Sequence, residues 1–375
     1  MKKIMALCIF LITAAVLLHA QAQVPGFSNT VHASFGQYAS QKDSKVQFFG
    51  FTDYFTGNIT VGKLTFAGDI TWRFLPSSSG VQTEFLDRNV NVVIMPVKGL
   101  DIGLGTNLNW TVGPGPSSGP RWSAYNRPYY GGINLMNSTS SVSALPNYPK
   151  KGFEVINHYA QQAFAIRYRY ENIFEAGFSL PVLTPGKNFN AGLGIKGNIK
   201  DIVSIGFAYN GPFNTGKNYL YLGVSTTALK GFTIGAYWNM LTDSSQNAKD
   251  GAQTIGALID FEMKGFRIKP EGAVTFHSDS DWAPSGYAGV DAYMSFTKEI
   301  LGGINASFGI GSDRIKNDPD NKEKAGARLD VNPYIVWNIN KTHVLSAGAH
   351  LTPVWWRDGY STFGWEIPIA WKIKF

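Results

Sequence analysis

The amino-acid sequence predicts an all-β chain closed into a transmembrane antiparallel up-and-down β-barrel of about eighteen strands, with about sixteen as the alternative. Three observations carry this. First, the chain ends on an alternating run: Trp365, Ile367, Ile369, Trp371, Ile373 and Phe375 are apolar, while Glu366, Lys372 and Lys374 fall between them. Successive side chains of a strand point to opposite faces, so this run has one apolar face and one wet face. Second, beyond residue 22 there is no apolar run of about 18 residues, the length a membrane helix needs. A tilted strand crosses with about 9–11 residues, which the terminal run supplies. Third, charged residues make up only 16%, against about 25% in soluble proteins. Glycine (41), Phe (25), Tyr (17) and Trp (10) are abundant, yet mean hydropathy is −0.09. That mixture suits strands whose residues alternate between lipid and a watery lumen.

The N-terminus reads as a secretory leader. Lys2 and Lys3 precede an apolar run from Ile4 to Leu18, and Ala20-Gln21-Ala22 gives a small-x-small cleavage pattern. The expectation is a signal peptide over 1–22 and a single barrel domain over 23–375. The one cysteine, Cys8, lies inside the leader, so the mature chain has no disulfide and no thiol chemistry. Net charge is +7, and loss of Lys2 and Lys3 removes two of it.

The body repeats a hairpin. Val97-Lys98-Gly99-Leu100, Leu229-Lys230-Gly231-Phe232 and Met263-Lys264-Gly265-Phe266 each set Lys-Gly between alternating runs, and glycine supplies the positive φ of a tight turn. Further short turns are expected near Asn58-Ile59-Thr60, Glu171-Asn172, Asn198-Ile199-Lys200, Lys298-Glu299 and Asn340-Lys341. Longer polar segments alternate with them. In 231–240, Phe232, Ile234, Ala236, Trp238 and Met240 share one face. In 99–110, Leu100, Ile102, Leu104, Leu108 and Trp110 do so. In 265–276 the set is Phe266, Ile268, Val274 and Phe276, and in 326–338 it is Leu329, Val331, Ile335 and Trp337. Trp72, Trp110, Trp337 and Trp371 are expected on outward faces as interface aromatics. The short turns account for sixteen strands, the terminal strand is a seventeenth, and 27–39, with Phe27, Val31, Ala33 and Phe35 on one face, serves as the first. Under the sixteen-strand alternative, 23–46 is a tail or plug.

The terminal residues Trp371, Ile373 and Phe375 resemble the C-terminal insertion signal of bacterial outer-membrane β-barrels. The alternation of short turns and long loops resembles the general porin type. That resemblance implies residence in the outer membrane of a diderm bacterium, contact with outer-membrane lipid, delivery by the barrel-assembly machinery and a homotrimer.

The longest loop, about 111–156, is the third external one counted from Phe27. General porins fold such a loop into the pore, and the resemblance implies the same here. The loop carries Arg121, Arg127, Lys150 and Lys151 with Trp122, Tyr125, Tyr129, Tyr130 and Tyr148, and no Asp or Glu between Thr111 and Phe153. A basic, aromatic constriction favours anions, or sugars stacked on rings; a solvated external loop is the alternative. Lumen-facing wall positions carry both signs. Arg73, Arg167, Arg169, Lys196, Arg267, Lys269, Arg328 and Lys372 oppose Asp69, Asp101, Glu175, Asp260, Glu262, Glu271, Asp291, Asp330 and Glu366. Arg167 and Arg169, on the strand leaving the long loop, are the wall residues expected to join the loop basics in solute contact.

Nothing points to catalysis, cofactor or nucleic acid. His277-Ser278-Asp279-Ser280-Asp281 holds triad residue types, but adjacent residues do not converge as a triad must. Asn317-Asp318-Pro319-Asp320-Asn321-Lys322-Glu323 offers oxygen ligands without the EF-hand spacing, and Lys316, Lys322 and Lys324 oppose a cation. The expected function is passive diffusion of small hydrophilic solutes. The competing expectations are a transporter of hydrophobic compounds with a plug in 23–46, and a surface adhesin with a closed pore. An outer-membrane hydrolase is disfavoured for want of a separated acid, base and nucleophile.

Overall fold

The computed structural model describes residues 26–37, 46–77, 80–106, 108–115, 157–160, 163–181, 190–212, 217–243, 251–278, 284–310, 325–356, 359 and 361–375. The leader at 1–22 lies outside them. The first strands are β1 (Gly26–Gln37), β2 (Gln47–Val61), β3 (Leu64–Ser77), β4 (Gly80–Ile94) and β5 (Leu100–Gly105), followed by the short β6 (Trp110–Thr111) and β7 (His158–Ala160). Next come β8 (Ala163–Tyr170), β9 (Phe174–Leu180), β10 (Asn190–Ile199), β11 (Val203–Pro212), β12 (Lys217–Thr226) and β13 (Phe232–Asp243). The chain closes with β14 (Ala252–Met263), β15 (Phe266–His277), β16 (Ser285–Ser295), β17 (Ile300–Ile310), β18 (Ala325–Asn338), β19 (His343–Gly348), β20 (His350–Trp356) and β21 (Ser361–Lys374).

Strands β6 and β7 pair only with each other. β19 and β20 form one stave interrupted at Ala349, whose amide donates to the Pro333 carbonyl instead (3.0 Å). The wall is therefore a closed ring of 18 antiparallel staves. Closure is made by β1 and β21, in register from Ser28 opposite Lys374 to Gln37 opposite Trp365. Every stave is hydrogen-bonded on both sides, so no edge is left to the surroundings. The first strand expected at 27–39 is thus a full stave, which excludes the sixteen-strand count and a plug made of residues 26–37.

The faces are inverted relative to a soluble protein. On β1, Thr30, His32 and Ser34 are buried, whereas Val31 and Phe35 are exposed. The same holds around the ring: Phe51, Ile205, Leu222, Ile255, Ile335 and Ile369 are exposed, while Thr52, Thr254, Ser307, Asp330 and Glu366 are buried. An outward apolar band around an inward polar face fits lipid outside and polar contents within. Among the described residues no helix is long and apolar enough to cross a membrane.

The Lys-Gly hairpins fold as their sequence dictates. Gly99, Gly231 and Gly265 adopt φ of 86°, 83° and 77°, a region that costs other L-residues about 1–2 kcal/mol. Two turns fall elsewhere than expected. Asn58, Ile59 and Thr60 belong to β2, because the ladder runs on through Thr60–Thr65 and Val61–Leu64 before reversing at Gly62-Lys63. The next shift is smaller: Ile199 still pairs with Val203, and the reversal uses Lys200 and Asp201, both at positive φ (52° and 55°).

One face assignment is corrected. Trp72, Trp337 and Trp371 sit on the outward face, the last two about half exposed. Leu108 and Trp110 do not. Strand β5 stops at Gly105, Asn109 takes a positive φ of 51°, and the chain turns into the barrel. Trp110 is 6% exposed and, with Leu108, packs over the inner side of Gly103. The outward stripe is lost because the strand ends at Gly105 and the chain leaves the wall, Leu108 and Trp110 both reaching its inner side on either flank of the left-handed Asn109.

Candidate pore constriction

The departure of the long loop from the wall is fixed by Thr106. Its amide donates to the Val90 carbonyl (3.0 Å), its hydroxyl accepts from the Val90 amide (2.9 Å), and the same hydroxyl donates to Asn89 Oδ1 (3.3 Å). Past this point the two feet of the loop, 108–115 and 157–160, lie inside the barrel. They zip together through the β6–β7 pair, the Val112 amide on the Asn157 carbonyl (2.9 Å) and the Asn157 amide on the Gly113 carbonyl (2.9 Å).

The wall is shaped to receive them. Gly177, Gly192, Gly194, Gly206, Gly223 and Gly235 occupy five neighbouring strands, β9 to β13. A Cβ at Gly192 or Gly206 would collide with the carbonyl of Tyr159 or Val112. One at Gly177 or Gly194 would strike the Tyr159 ring, and Pro114 crosses Gly223 and Gly235. The glycines cut a shallow trough into which backbone fits. Polar groups then fasten the feet: Asn210 donates to the His158 carbonyl (2.6 Å), Ser179 to the Tyr159 carbonyl, and Tyr221 to the Pro114 carbonyl. Trp110, Val112, Tyr159 and Tyr221 join Ala165, Ala208, Tyr237 and Tyr287 in the apolar cluster under the feet. Replacing Gly206 by Val is expected to cost about 1–3 kcal/mol through overpacking, read as a lower urea midpoint. Val at Gly197, which meets only open space, is expected to leave the midpoint in place.

An ion-pair cluster lies beside the feet, near the short-turn end of the lumen. Asp101, 1% exposed, receives Arg167 through Nε (2.9 Å) and Nη2 (2.7 Å) on one oxygen and Arg169 Nη2 on the other (3.0 Å). Arg167 also approaches Glu175 (3.7 Å) and stacks over the Trp110 ring at 4.4 Å. Tyr159 donates to Glu175 (3.2 Å). Burial, with Glu175 adding to it, pushes the Tyr159 phenol above its ordinary range, so it acts as a neutral donor. Two guanidinium groups and two carboxylates cancel, which makes the cluster a brace. Arg169, at 40% exposure, remains the member open to the lumen.

The far wall, on β18 to β21, presents another set. His350 Nε2 and Asp330 Oδ1 lie 2.7 Å apart, and the Thr352 hydroxyl donates to Asp330 (3.2 Å). Glu366 is the register partner of His350. On β14 and β15, near the Lys264-Gly265 turn, Arg267 grips Asp260 at 2.8 and 2.5 Å.

Of the residues named from sequence, the structure brings Arg167 and Arg169 together on Asp101. Arg121, Trp122, Arg127, Tyr129, Tyr130, Lys150 and Lys151 lie outside the described residues, as does 317–323. Sequence reasoning missed Trp110, Tyr159 and Tyr221 as anchors of the feet. The signal that could have found them is the run of inward glycines on consecutive strands, since a lumen wall has no other reason to stay so flat. Among the described residues no cluster of three His, Cys, Asp or Glu is placed to hold a metal.

No protein-family model matches the sequence, and no curated protein matches it. Solved structures do match in fold. Acinetobacter baumannii OccAB4 superposes with a TM-score of 0.58 at 9% identity, over 95% of this chain and 99% of that one. Acinetobacter baumannii OccAB2 gives 0.56 at 8%, over 94% and 98%. The outer membrane protein opdK from Pseudomonas aeruginosa gives 0.55 at 8%, over 94% and 99%. At these identities the likeness is one of fold: an 18-stranded closed barrel spanning nearly the whole of both chains.

Proposed function

We propose that this chain is an integral outer-membrane porin that lets small hydrophilic solutes diffuse passively through a lumen narrowed by its long third loop. The observation that supports the reading is the pair of loop feet seated in a glycine trough on the inner wall. A segment fastened there takes up part of the lumen's cross-section. The barrel's likeness to a protein described as an outer membrane protein supports the compartment. The reading is of a channel and not an enzyme. An apolar lumen, as a carrier of hydrophobic compounds needs, is not favoured, because the apolar cluster on the inner wall is filled by the chain's own Val112 and Tyr159.

In the same reading, residues 1–22 are removed on export. The terminal strand is handed to the barrel-assembly machinery through Trp371, Ile373 and Phe375, and the protein assembles as a homotrimer. Deleting Phe375 together with Trp371→Ala is expected to cut the heat-modifiable form in outer-membrane fractions by about tenfold, since closure depends on this strand. Solute preference falls to the loop side chains, because Arg167 is neutralised by Asp101 and Glu175. Arg121, Arg127, Lys150 and Lys151 would then select anions, while Trp122, Tyr129 and Tyr130 stack sugars.

Planar-bilayer recording of the purified, heat-modifiable protein tests the reading. Discrete conductance steps are expected, with anions favoured over cations. Absence of any step would refute a porin. Anion selectivity that survives Ala at Arg121, Arg127, Lys150 and Lys151 would remove those residues from the constriction.

A further inference from the structure

The short turns share a composition that their backbone does not require. In six of them an exposed lysine stands beside an exposed apolar residue: Lys98 with Val97, Lys200 with Ile199, Lys230 with Leu229, Lys264 with Met263, Lys298 with Phe296 and Lys341 with Ile339. The apolar members are 45% to 60% exposed. Tight turns in water are built from Gly, Asn, Asp, Ser and Pro. A single exposed Leu or Val there would mean little, but one recurring at reversal after reversal forms a continuous apolar surface. Ile199, Met263 and Ile339 prolong the outward stripes of Ile195, Ile259 and Ile335. Phe296 folds back onto the same side: outward Gly302 faces Ile335 in the ladder, and a Cβ on it would lie 2.6 Å from the Phe296 ring.

Each lysine follows its apolar neighbour by one or two residues, so it stands further out along the barrel axis. Neighbouring turns are two staves, about 10 Å, apart. That is about one Debye length at 0.1 M salt, so their charges merge into a collar. Lys63, in another turn, donates to the Pro96 carbonyl (2.5 Å). The acids among the turn residues are Glu171, Asp201 and Glu299, and the rim keeps a positive excess. The pattern runs around the ring. A soluble partner would cover one sector and leave the other turns ordinary. Surroundings that are apolar beside the wall and anionic beyond it meet every turn alike. A lipid leaflet has that layering, and a lysine spans it by laying its stem along apolar surface with its ammonium at the headgroups. Barrels of this build turn their short connections to the periplasm, where the leaflet is phospholipid. A zwitterionic headgroup brings its own cation to the phosphate; a net-anionic one leaves the phosphate to the lysine.

We propose that the short-turn rim is a binding collar for anionic phospholipid, with the turn lysines on headgroup phosphates and their apolar neighbours among the acyl chains. The proposal rests on the outer-membrane reading above and adds to it a lipid preference confined to one rim.

The test uses the full chain with Cys8→Ser, reconstituted in mixed phosphatidylcholine and phosphatidylglycerol vesicles and labelled with bimane at one introduced thiol. With Leu229→Cys, brominated phosphatidylglycerol is expected to quench about twofold more than brominated phosphatidylcholine at low salt, and the excess is expected to fade at high salt. With Ile310→Cys, outward at the opposite end of β17, the two lipids are expected to quench alike. Replacing Lys98, Lys200, Lys230, Lys264, Lys298 and Lys341 together by Gln is expected to remove the excess at 229. Replacing the same six by Arg is expected to keep it. Equal quenching by the two lipids at 229 with the lysines in place overturns the collar and leaves the porin standing, as does an excess that survives the six Gln substitutions. Thiols at 229 and 310 that neither lipid quenches overturn the membrane reading as well. The comparison of 229 with 310 decides the matter even where the Gln variant does not assemble.

Discussion

Excising residues 112–157 and joining Thr111 to His158 through Asn-Gly is expected to raise single-channel conductance by about twofold or more, because conductance follows the narrowest cross-section. The junction is chosen from the structure. Thr111 and His158 are register partners in the β6–β7 pair, so a two-residue turn closes the gap with the twist a hairpin prefers. Trp110 and Tyr159 stay, and with them the stacking on Arg167 and the cover over Gly177 and Gly194. What leaves is the stretch from Val112 to Pro114, which lies over Gly206, Gly223 and Gly235, and the long segment it introduces. Liposome swelling with sugars of increasing size reads the same change as faster entry of the larger ones. Because Arg121, Arg127, Lys150 and Lys151 go with the segment, the anion preference proposed for them is expected to fall in the same recording. An unchanged conductance would place the narrow point elsewhere and end the constriction reading.

The second large effect comes from Asp101→Asn. The carboxylate is buried and holds two arginines. The amide keeps the shape and one acceptor oxygen, but turns an NH2 toward guanidinium donors and removes a full charge. Breaking a buried pair costs about 3–5 kcal/mol. With Arg169 40% exposed the loss here is expected nearer 2–3 kcal/mol, visible as a lower urea midpoint in detergent. Function moves the other way. One uncompensated positive charge at about 7 Å from a permeating ion is worth roughly 0.6 kcal/mol in water and about 2.4 kcal/mol at an effective dielectric of 20. The anion-to-cation permeability ratio is therefore expected to rise about threefold or more. The double variant Asp101→Asn with Arg169→Gln is expected to return it toward the starting value. A ratio that ignores both changes would show that the brace lies away from the ion path.

The barrel was legible in the sequence because its physics is local. Alternation in Phe232–Met240 or Leu329–Trp337 fixes which side meets lipid, and the ladders keep that phase. Lys-Gly at 98–99, 230–231 and 264–265 marks reversals because a left-handed backbone suits glycine. Asn58–Thr60 misled for the opposite reason: asparagine suggests a turn, but pairing of Thr60 with Thr65 carries the strand past it. Parity alone places Trp110 outward, because it continues that of Leu104. Parity cannot see that the strand ends at Gly105 and the chain leaves the wall. The brace was half legible. Arg167 and Arg169 stand out on their strand, but Asp101, their partner, is 66 and 68 residues away. Only the pairing of β5 with β8, which sets Asp101 opposite Arg167, brings them together.

That ring has one joint unlike the rest. Neighbouring staves joined by short turns can zip as soon as both are made. The β1–β21 seam unites the two ends of the sequence, and bringing such ends together costs about 5 kcal/mol of chain entropy for a loop of roughly 330 residues. Its register from Ser28–Lys374 to Gln37–Trp365 must repay that in a single event. Contacts so distant in sequence form slowly. Until they do, two bare strands offer unpaired backbone to any other chain. The seam is thus the step that sets how fast this protein becomes native and the point at which it is most exposed to aggregation. Variants weakened there should accumulate as open sheets whose hairpins are already formed.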